Sequence, residues 1–434
     1  MLLVLFAASA FAAEPVHLSV DEAISRLEAQ NPSVRRADAA AQGADAASLA
    51  ALSGVLPTLV GTGSYTRNNA EVTLDLGQLF DALAAMSGQA PSPDAPGEII
   101  LQPLDAFSGA VALKVPLLSP SAWAGISAAH HGQDAAQANA DATRSSLRGA
   151  AMQAFWMEAA AESLVQAQSA SVERARALAE SAERALNAGT ATRLSVLQAS
   201  TDLARREGEL LTGQASLDRA RLAVGTLLGE DGPIAVDLPP TSPRAAADAD
   251  ALVQDALEHR GEVLAARAQV EAARQSLLSS RLSYAPSLSG SFTAFASSEA
   301  YSTGEKTGWK ATLDLSVPLV MGGARAASTS KASAGLADAE AALEAAQLQV
   351  AAAVRNAVAD LDVSAKRLEV ATRQLALAEE GARVAQHSFE EGLVDQATVL
   401  DALDRLDMAR ASQIDAAARA GMASAALSAA VGRW

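Results

Sequence analysis

The stretch from Gly323 to Val431 contains two long helical runs joined by one short turn, Glu391-Gly392-Leu393-Val394, and no proline interrupts it. Along its first arm Val354, Leu361, Leu368, Leu375, Ala382 and Phe389 recur every seven residues, with Ala357, Ser364, Ala371, Ala378 and Ala385 three places later. Two adjacent seams at that period make a helix that packs lengthwise on partners. A single helix from Gly323 to Glu390 would be roughly 100 Å long at about 1.5 Å per residue, several times the ordinary globular length. Heptads describe a rod as readily as a tube, so the choice between them rests on the rest of the chain.

Half of the 434 residues are hydrophobic but only 3% are aromatic, which suits alanine-rich helix packing better than a bulky globular core. The net charge of −17 argues against nucleic acid and against an anionic membrane surface as partners. With no cysteine there is no disulfide, no thiolate metal site and no N-terminal lipid-bearing cysteine. Residues 1–12 read as an apolar export signal closing on Ala10-Phe11-Ala12, and no other stretch reaches the roughly 20 apolar residues of a membrane helix.

Chemistry-bearing patterns are missing. His130 and His131 are adjacent, so on a helix they point apart, and Ala135 stands where a ligand four residues on would be needed. No glycine-rich phosphate loop follows a strand and no nucleophile sits in a recognised setting, so the expectation is a non-enzyme without metal or cofactor.

The chain is a tandem repeat. Asn31-Pro32-Ser33-Val34 aligns with Arg260-Gly261-Glu262-Val263, and Leu56-Pro57-Thr58-Leu59 with Ala285-Pro286-Ser287-Leu288, both at an offset of 229 residues. Val115-Pro116-Leu117 aligns with Val317-Pro318-Leu319 at 202, and Gly189 with Gly392 at 203. The drop means that the first half carries an insertion between Thr66 and Phe107.

The first repeat, 13–229, then reads as an opening helix Val20 to Val55, a strand 58–66, an irregular loop 67–106, a strand 107–115 ended by Pro116, and a long helical hairpin 121–228. The linker 230–249 is proline-rich and is expected outside the helical layer. The second repeat, 250–434, has strands 287–296 and 309–317 with a short loop, then the hairpin 323–431. Gly189 and Gly392 at the hairpin tips fit left-handed helix caps.

The strands alternate. Phe107, Gly109, Val111, Leu113 and Val115 face one way and Ser108, Ala110, Ala112 and Lys114 the other; Trp309, Ala311, Leu313, Leu315 and Val317 oppose Lys310, Thr312, Asp314 and Ser316. One face suits lipid and one water, over lengths on the order of 9–11 residues that cross a bilayer when tilted. Tyr65, Phe107, Tyr301 and Trp309 fall near strand ends, where an aromatic belt belongs. A soluble sheet with one wet face fits the alternation too. Four strands cannot close a barrel, and an open edge in hydrocarbon costs several kcal/mol per unpaired group, so a membrane sheet of this size needs further copies of the chain.

In this order and in duplicate, Asp21-Glu22-Ala23-Ile24, Asn31-Pro32-Ser33-Val34, the Leu56-Pro57 and Ala285-Pro286 junctions, Val317-Pro318-Leu319, Gly322-Gly323-Ala324-Arg325 and the two tip turns resemble the TolC family of outer-membrane efflux proteins. The resemblance implies a mainly helical protein with a membrane β-barrel portion. It implies a homotrimer that closes a twelve-stranded barrel, a long helical tunnel in the periplasm of a Gram-negative bacterium, and an equatorial layer that includes the linker. It implies an exit duct for small toxic molecules that works with a periplasmic adaptor and an inner-membrane pump.

Carried over residue by residue, Gly189, Thr190, Ala191, Gly392, Leu393 and Val394 form the adaptor-docking tip, and Phe389, Thr398 and Asp401 stand at the periplasmic gate. Thr398 replaces an acidic residue of the family and Phe389 a frequent tyrosine, which leaves Asp401 as the narrowing ring; Asp404 and Asp407 read as gate residues or as a solvated acidic face. The same duct could serve type I protein secretion or metal-ion efflux, and the rival of another class is a periplasmic coiled-coil rod with no pore. The insertion 68–106 is expected to cap the pore from outside.

Overall fold

The computed structural model describes residues 15–88, 98–238, 248–298 and 305–433. The export signal, Tyr301, and the Pro91 to Gly97 stretch of the insertion lie outside the described residues. In chain order the elements are β1 (Val16–Ser19), α1 (Val20–Gln30), α2 (Pro32–Ser53), β2 (Thr58–Arg67), β3 (Val72–Asp75), α3 (Leu76–Ser87), β4 (Glu98–Gln102), β5 (Asp105–Leu118), α4 (Pro120–Asn187) and α5 (Arg193–Leu228). After them come β6 (Ile234–Asp237), α6 (Ala249–His259), α7 (Gly261–Leu282), β7 (Ser287–Ser297), β8 (Thr307–Ser316), α8 (Ala324–Glu390) and α9 (Gln396–Val431). The chain folds into two compact units. One holds residues up to 44, 132–270 and 338 onward, and the other holds 45–131 and 271–337.

The first unit contains the core twice. Leu27, Ala151, Phe155, Val224 and Leu228 are buried together, and so are Ala256, Val263, Val350, Val354, Ala430 and Val431. Leu27 corresponds to Ala256 at the offset of 229, and Ala151 and Leu228 to Val354 and Val431 at 203, so the duplication seen in the sequence is a duplication of packing.

Two expectations are corrected here. The opening helix of each repeat is not continuous: α1 stops at Asn31, which is extended (φ −62°, ψ 127°), and α6 stops at Arg260 (φ −69°, ψ 130°). Pro32 forces its predecessor out of the helical region, while the apolar period carries on across the break and hides it. The linker, moreover, does not begin outside the helices. Ile234, Ala235 and Val236 are buried, and β6 pairs in parallel with β1 from Val16↔Ile234 to Ser19↔Asp237, covering the first core with Leu18, Ile234 and Val236. A run of three apolar residues is long enough to bury and too short to read as a strand. Residues 239–247, with the remaining linker prolines, lie outside the described residues.

The second unit contains a four-stranded antiparallel sheet in the order β2-β5-β7-β8. Its register gathers the alternation onto two faces. Leu59, Leu113, Phe292 and Ala311 form one row, with Gly61, Val111, Ala294 and Trp309 in the row on one side of it and Val115, Gly290 and Leu313 in the row on the other. These side chains are uncovered, with Leu59 69%, Trp309 71% and Leu313 67% exposed. Tyr65 and Phe107 lie with ring centroids 4.8 Å apart at one end of this face, and the Arg67–Asp105 ion pair (3.0 Å) follows in the next row.

The opposite face is mainly polar, with Val60 and Phe295 the large apolar residues on it. Ser64 and Ser108 share a hydrogen bond of 2.7 Å, and Ser291 and Thr312 one of 2.5 Å. Pro116 does not end β5. The strand runs to Leu118 with an irregularity in register between Pro116 and Leu118, where a residue without an N–H is tolerated. The insertion is not wholly irregular either, since β3 and β4 pair as a hairpin and α3 packs on β4. Among the described residues no helix is long and apolar enough to cross a membrane.

Candidate docking tip and gate

The two hairpin turns, both in the first unit, are built alike. Gly189 and Gly392 each have φ 77°, a left-handed conformation in which a side chain would be strained. The N–H of Gly189 donates to Leu186 O (2.9 Å) and that of Thr190 to Ala185 O (2.9 Å); the N–H of Gly392 donates to Phe389 O (2.9 Å) and that of Leu393 to Ser388 O (2.8 Å). The last carbonyls of α4 and α8 are thereby satisfied.

The following helices are capped in matching fashion. Thr192 Oγ1 accepts from Ser195 N (3.2 Å), and Asp395 Oδ1 from Thr398 N (3.0 Å) and from the Thr398 hydroxyl (2.7 Å). These bonds hold the Asp395 carboxyl below its ordinary range. Around this shared frame the surfaces differ: Thr190 and Leu393 are exposed, Leu393 to 72%, while Ala191 and Val394 are half-buried.

The three gate candidates fall into three environments. Phe389 is half-buried and lines a cavity of about 250 Å³ with Leu178 and Ser181 of α4 and Val399 and Leu403 of α9. Thr398 is taken up by the cap of α9, so its hydroxyl has a partner within its own turn. Asp401 is exposed and pairs with Arg405 one turn on (2.8 Å).

Asp404 and Asp407 do not form a solvated acidic face. Arg206, only 3% exposed, bonds Asp202 Oδ2 through Nε (2.7 Å), Asp404 Oδ1 through Nη2 (2.8 Å) and Asp407 Oδ2 through Nη1. Arg174 reaches Asp407 Oδ1 (2.6 Å), Ser171 donates to Asp407 Oδ2 (2.7 Å), and Arg205 bonds Asp202 (2.6 Å) and Asp404. Burial alone would favour loss of charge at Arg206, but Asp202, Asp407 and Asp404 outweigh it and raise its pKa. The cluster fastens α4 and α5 of one hairpin to α9 of the other. Sequence spacing could not reveal it, because three helices contribute and each shows only ordinary surface charge.

A family model of outer membrane efflux proteins matches residues 23–230 and 252–433. The chain belongs to the outer membrane efflux protein family. Its fold is that of solved outer-membrane proteins: the outer membrane protein VceC from Vibrio cholerae superposes with a TM-score of 0.76 at 19% identity, over 95% of this chain and 96% of that one. A membrane protein from Pseudomonas aeruginosa gives 0.78 at 19% identity, over 95% and 93%. A curated relative, the fusaric acid resistance protein FusA of Burkholderia cepacia, is 32% identical over 174 residues, which span 38% of this chain and 32% of that protein.

Proposed function

We propose that this protein is the outer-membrane exit duct of a tripartite efflux system, passively conducting small toxic molecules across the periplasm and outer membrane of a Gram-negative bacterium. The observation that carries the reading is the four-stranded sheet with one uncovered apolar face and two open edges, β2 and β8. Such a sheet is stable in hydrocarbon only when its edges are paired, and three copies joined edge to edge would close a barrel of twelve strands. In this reading Gly189, Thr190, Ala191, Gly392, Leu393 and Val394 meet a periplasmic adaptor that couples the duct to an inner-membrane pump. Threefold repetition brings Asp401 together as a ring of carboxylates, with Phe389 and Thr398 the other residues of the gate, and the insertion 68–106 covers the outer mouth. The likeness to a fusaric acid resistance protein supports a small-molecule cargo over a protein or metal ion.

The test is reconstitution of detergent-extracted protein into planar bilayers. An oligomer with ion conductance that rises in Asp401→Ala is expected. A well-folded oligomer without conductance would overturn the reading. A photo-crosslinking residue at Leu393 should capture an adaptor in living cells.

A further inference from the structure

The chain has only five lysines among 33 basic residues, Lys114, Lys306, Lys310, Lys331 and Lys366, and two of them stand within the sheet. The register puts both on its polar face. Lys114 shares a row with Ser291 and Thr312, and Lys310 shares the next with Ala112 and Thr293. They lie two strand spacings apart, roughly 10 Å at about 4.8 Å each, with β7 between them and one same-face step of about 7 Å along the strands. Both are exposed, and neither has a carboxylate partner among the described residues.

The other charged side chain on that face within the four strands is Asp314, one row further along β8, where the Thr312 hydroxyl donates to it (3.3 Å). Arg67 and Asp105 lie on the apolar face and neutralise each other. Within the strands the polar face is therefore net positive in a chain whose net charge is −17. Residue type matters as well as sign. A guanidinium fork holds a carboxylate bidentately, whereas an ammonium on a flexible stem attracts an anion as a point charge and releases it. Conduction needs the second behaviour.

We propose that Lys114 and Lys310 form a cationic band on the lumen side of the barrel that selects for anionic small molecules as cargo. The proposal rests on the duct reading, whose closed barrel would multiply the band by the number of copies. It assigns the acidic gate and the basic barrel opposite roles: the one slows passage at the periplasmic end, the other draws anions outward.

The experiment measures reversal potentials in planar bilayers under a gradient of potassium chloride, and again with potassium benzoate as the organic anion, for the unmodified chain, Lys114→Gln/Lys310→Gln and Lys114→Arg/Lys310→Arg. The glutamine pair is expected to lower the anion-to-potassium permeability ratio by about twofold or more, the arginine pair to keep the ratio while lowering the conductance in benzoate, and Asp314→Asn to raise the ratio. An unchanged ratio in the glutamine pair, or the same fall in the arginine pair, overturns the band while leaving the duct intact. Absence of conductance from the unmodified chain would instead overturn the duct itself, and the band with it.

Discussion

Asn31 and Arg260 occupy the same place in the two repeats and close the same gap by different chemistry. Asn31 Nδ2 donates to Leu227 O at 2.7 Å, and Arg260 Nη1 to Ala430 O at 3.2 Å, the two carbonyls lying at equivalent positions near the ends of α5 and α9. Asn31 also accepts from Ser33 N at 2.7 Å, so one side chain bonds both the broken opening helix and the end of the hairpin that follows.

Asn31→Ala should lower the stability of the first unit by about 1–3 kcal/mol, because it strands a carbonyl and an N–H at a site only 5% exposed. Arg260→Ala should cost less, since Glu262 holds that guanidinium and is itself left partly in solvent. Denaturant unfolding of the detergent-extracted protein would compare the two, and equal costs would contradict the account.

Arg206→Met should destabilise by about 3–5 kcal/mol by leaving Asp202 and Asp407 without their shared cation. Asp404→Asn should cost clearly less, because Asp404 keeps 36% of its side chain in water. Thermal melts in high salt would separate the two: the Arg206 defect should persist while the Asp404 defect shrinks.

Glu158 should make stability depend on pH in the direction opposite to most carboxylates. Burial raises its pKa, with Arg221 (3.1 Å) and the backbone of Val236 pulling down and Glu162 pushing up. A carboxyl whose folded pKa exceeds its unfolded one weakens the fold at high pH, and that penalty fades as pH falls through the raised value. Glu158→Gln should therefore raise the melting temperature at about pH 8, with a difference from the unmodified chain that narrows toward about pH 5. A lower melting temperature at both pH values would mean that the pair with Arg221 outweighs the burial.

Gly421→Ala should destabilise by about 1–3 kcal/mol through overpacking. A Cβ at Gly421 of α9 would run into the indole of Trp156 on α4, a large ring that has no free end to swing aside. Trp156→Leu in the same chain should restore part of the loss, and a double-mutant cycle would measure that coupling.

Much of this was legible beforehand where a period or a breaker carried the information. The heptads placed α8, alternation placed β5 and β8, the aligned junctions at Pro57 and Pro286 placed β2 and β7, and Gly189 and Gly392 placed the tips. The breaks at Asn31 and Arg260 were hidden because the apolar pattern passes through them unchanged, even though Pro32 announced the first. The pairing of β1 with β6 joins two four-residue segments far apart in the chain, for which no local signal exists. At the tip, Asp395 followed three residues later by Thr398 is a helix start that could have been read as such, which would have assigned Thr398 to the cap. The Arg206 cluster was out of reach, since it depends on which faces of three separate helices turn toward one another.

The parallel ladder from Val16 to Ser19 against Ile234 to Asp237 has a consequence for biogenesis. A chain made from its N-terminus delivers the first strand more than two hundred residues before its partner, so the ladder is a contact of extreme sequence separation and forms late. Until then Leu27, Phe155 and Leu228 lack their lid, and the half-made protein displays a sticky, unfinished surface. In the exported duct proposed above, the interval before Ile234 arrives is when the folding chain most needs a chaperone.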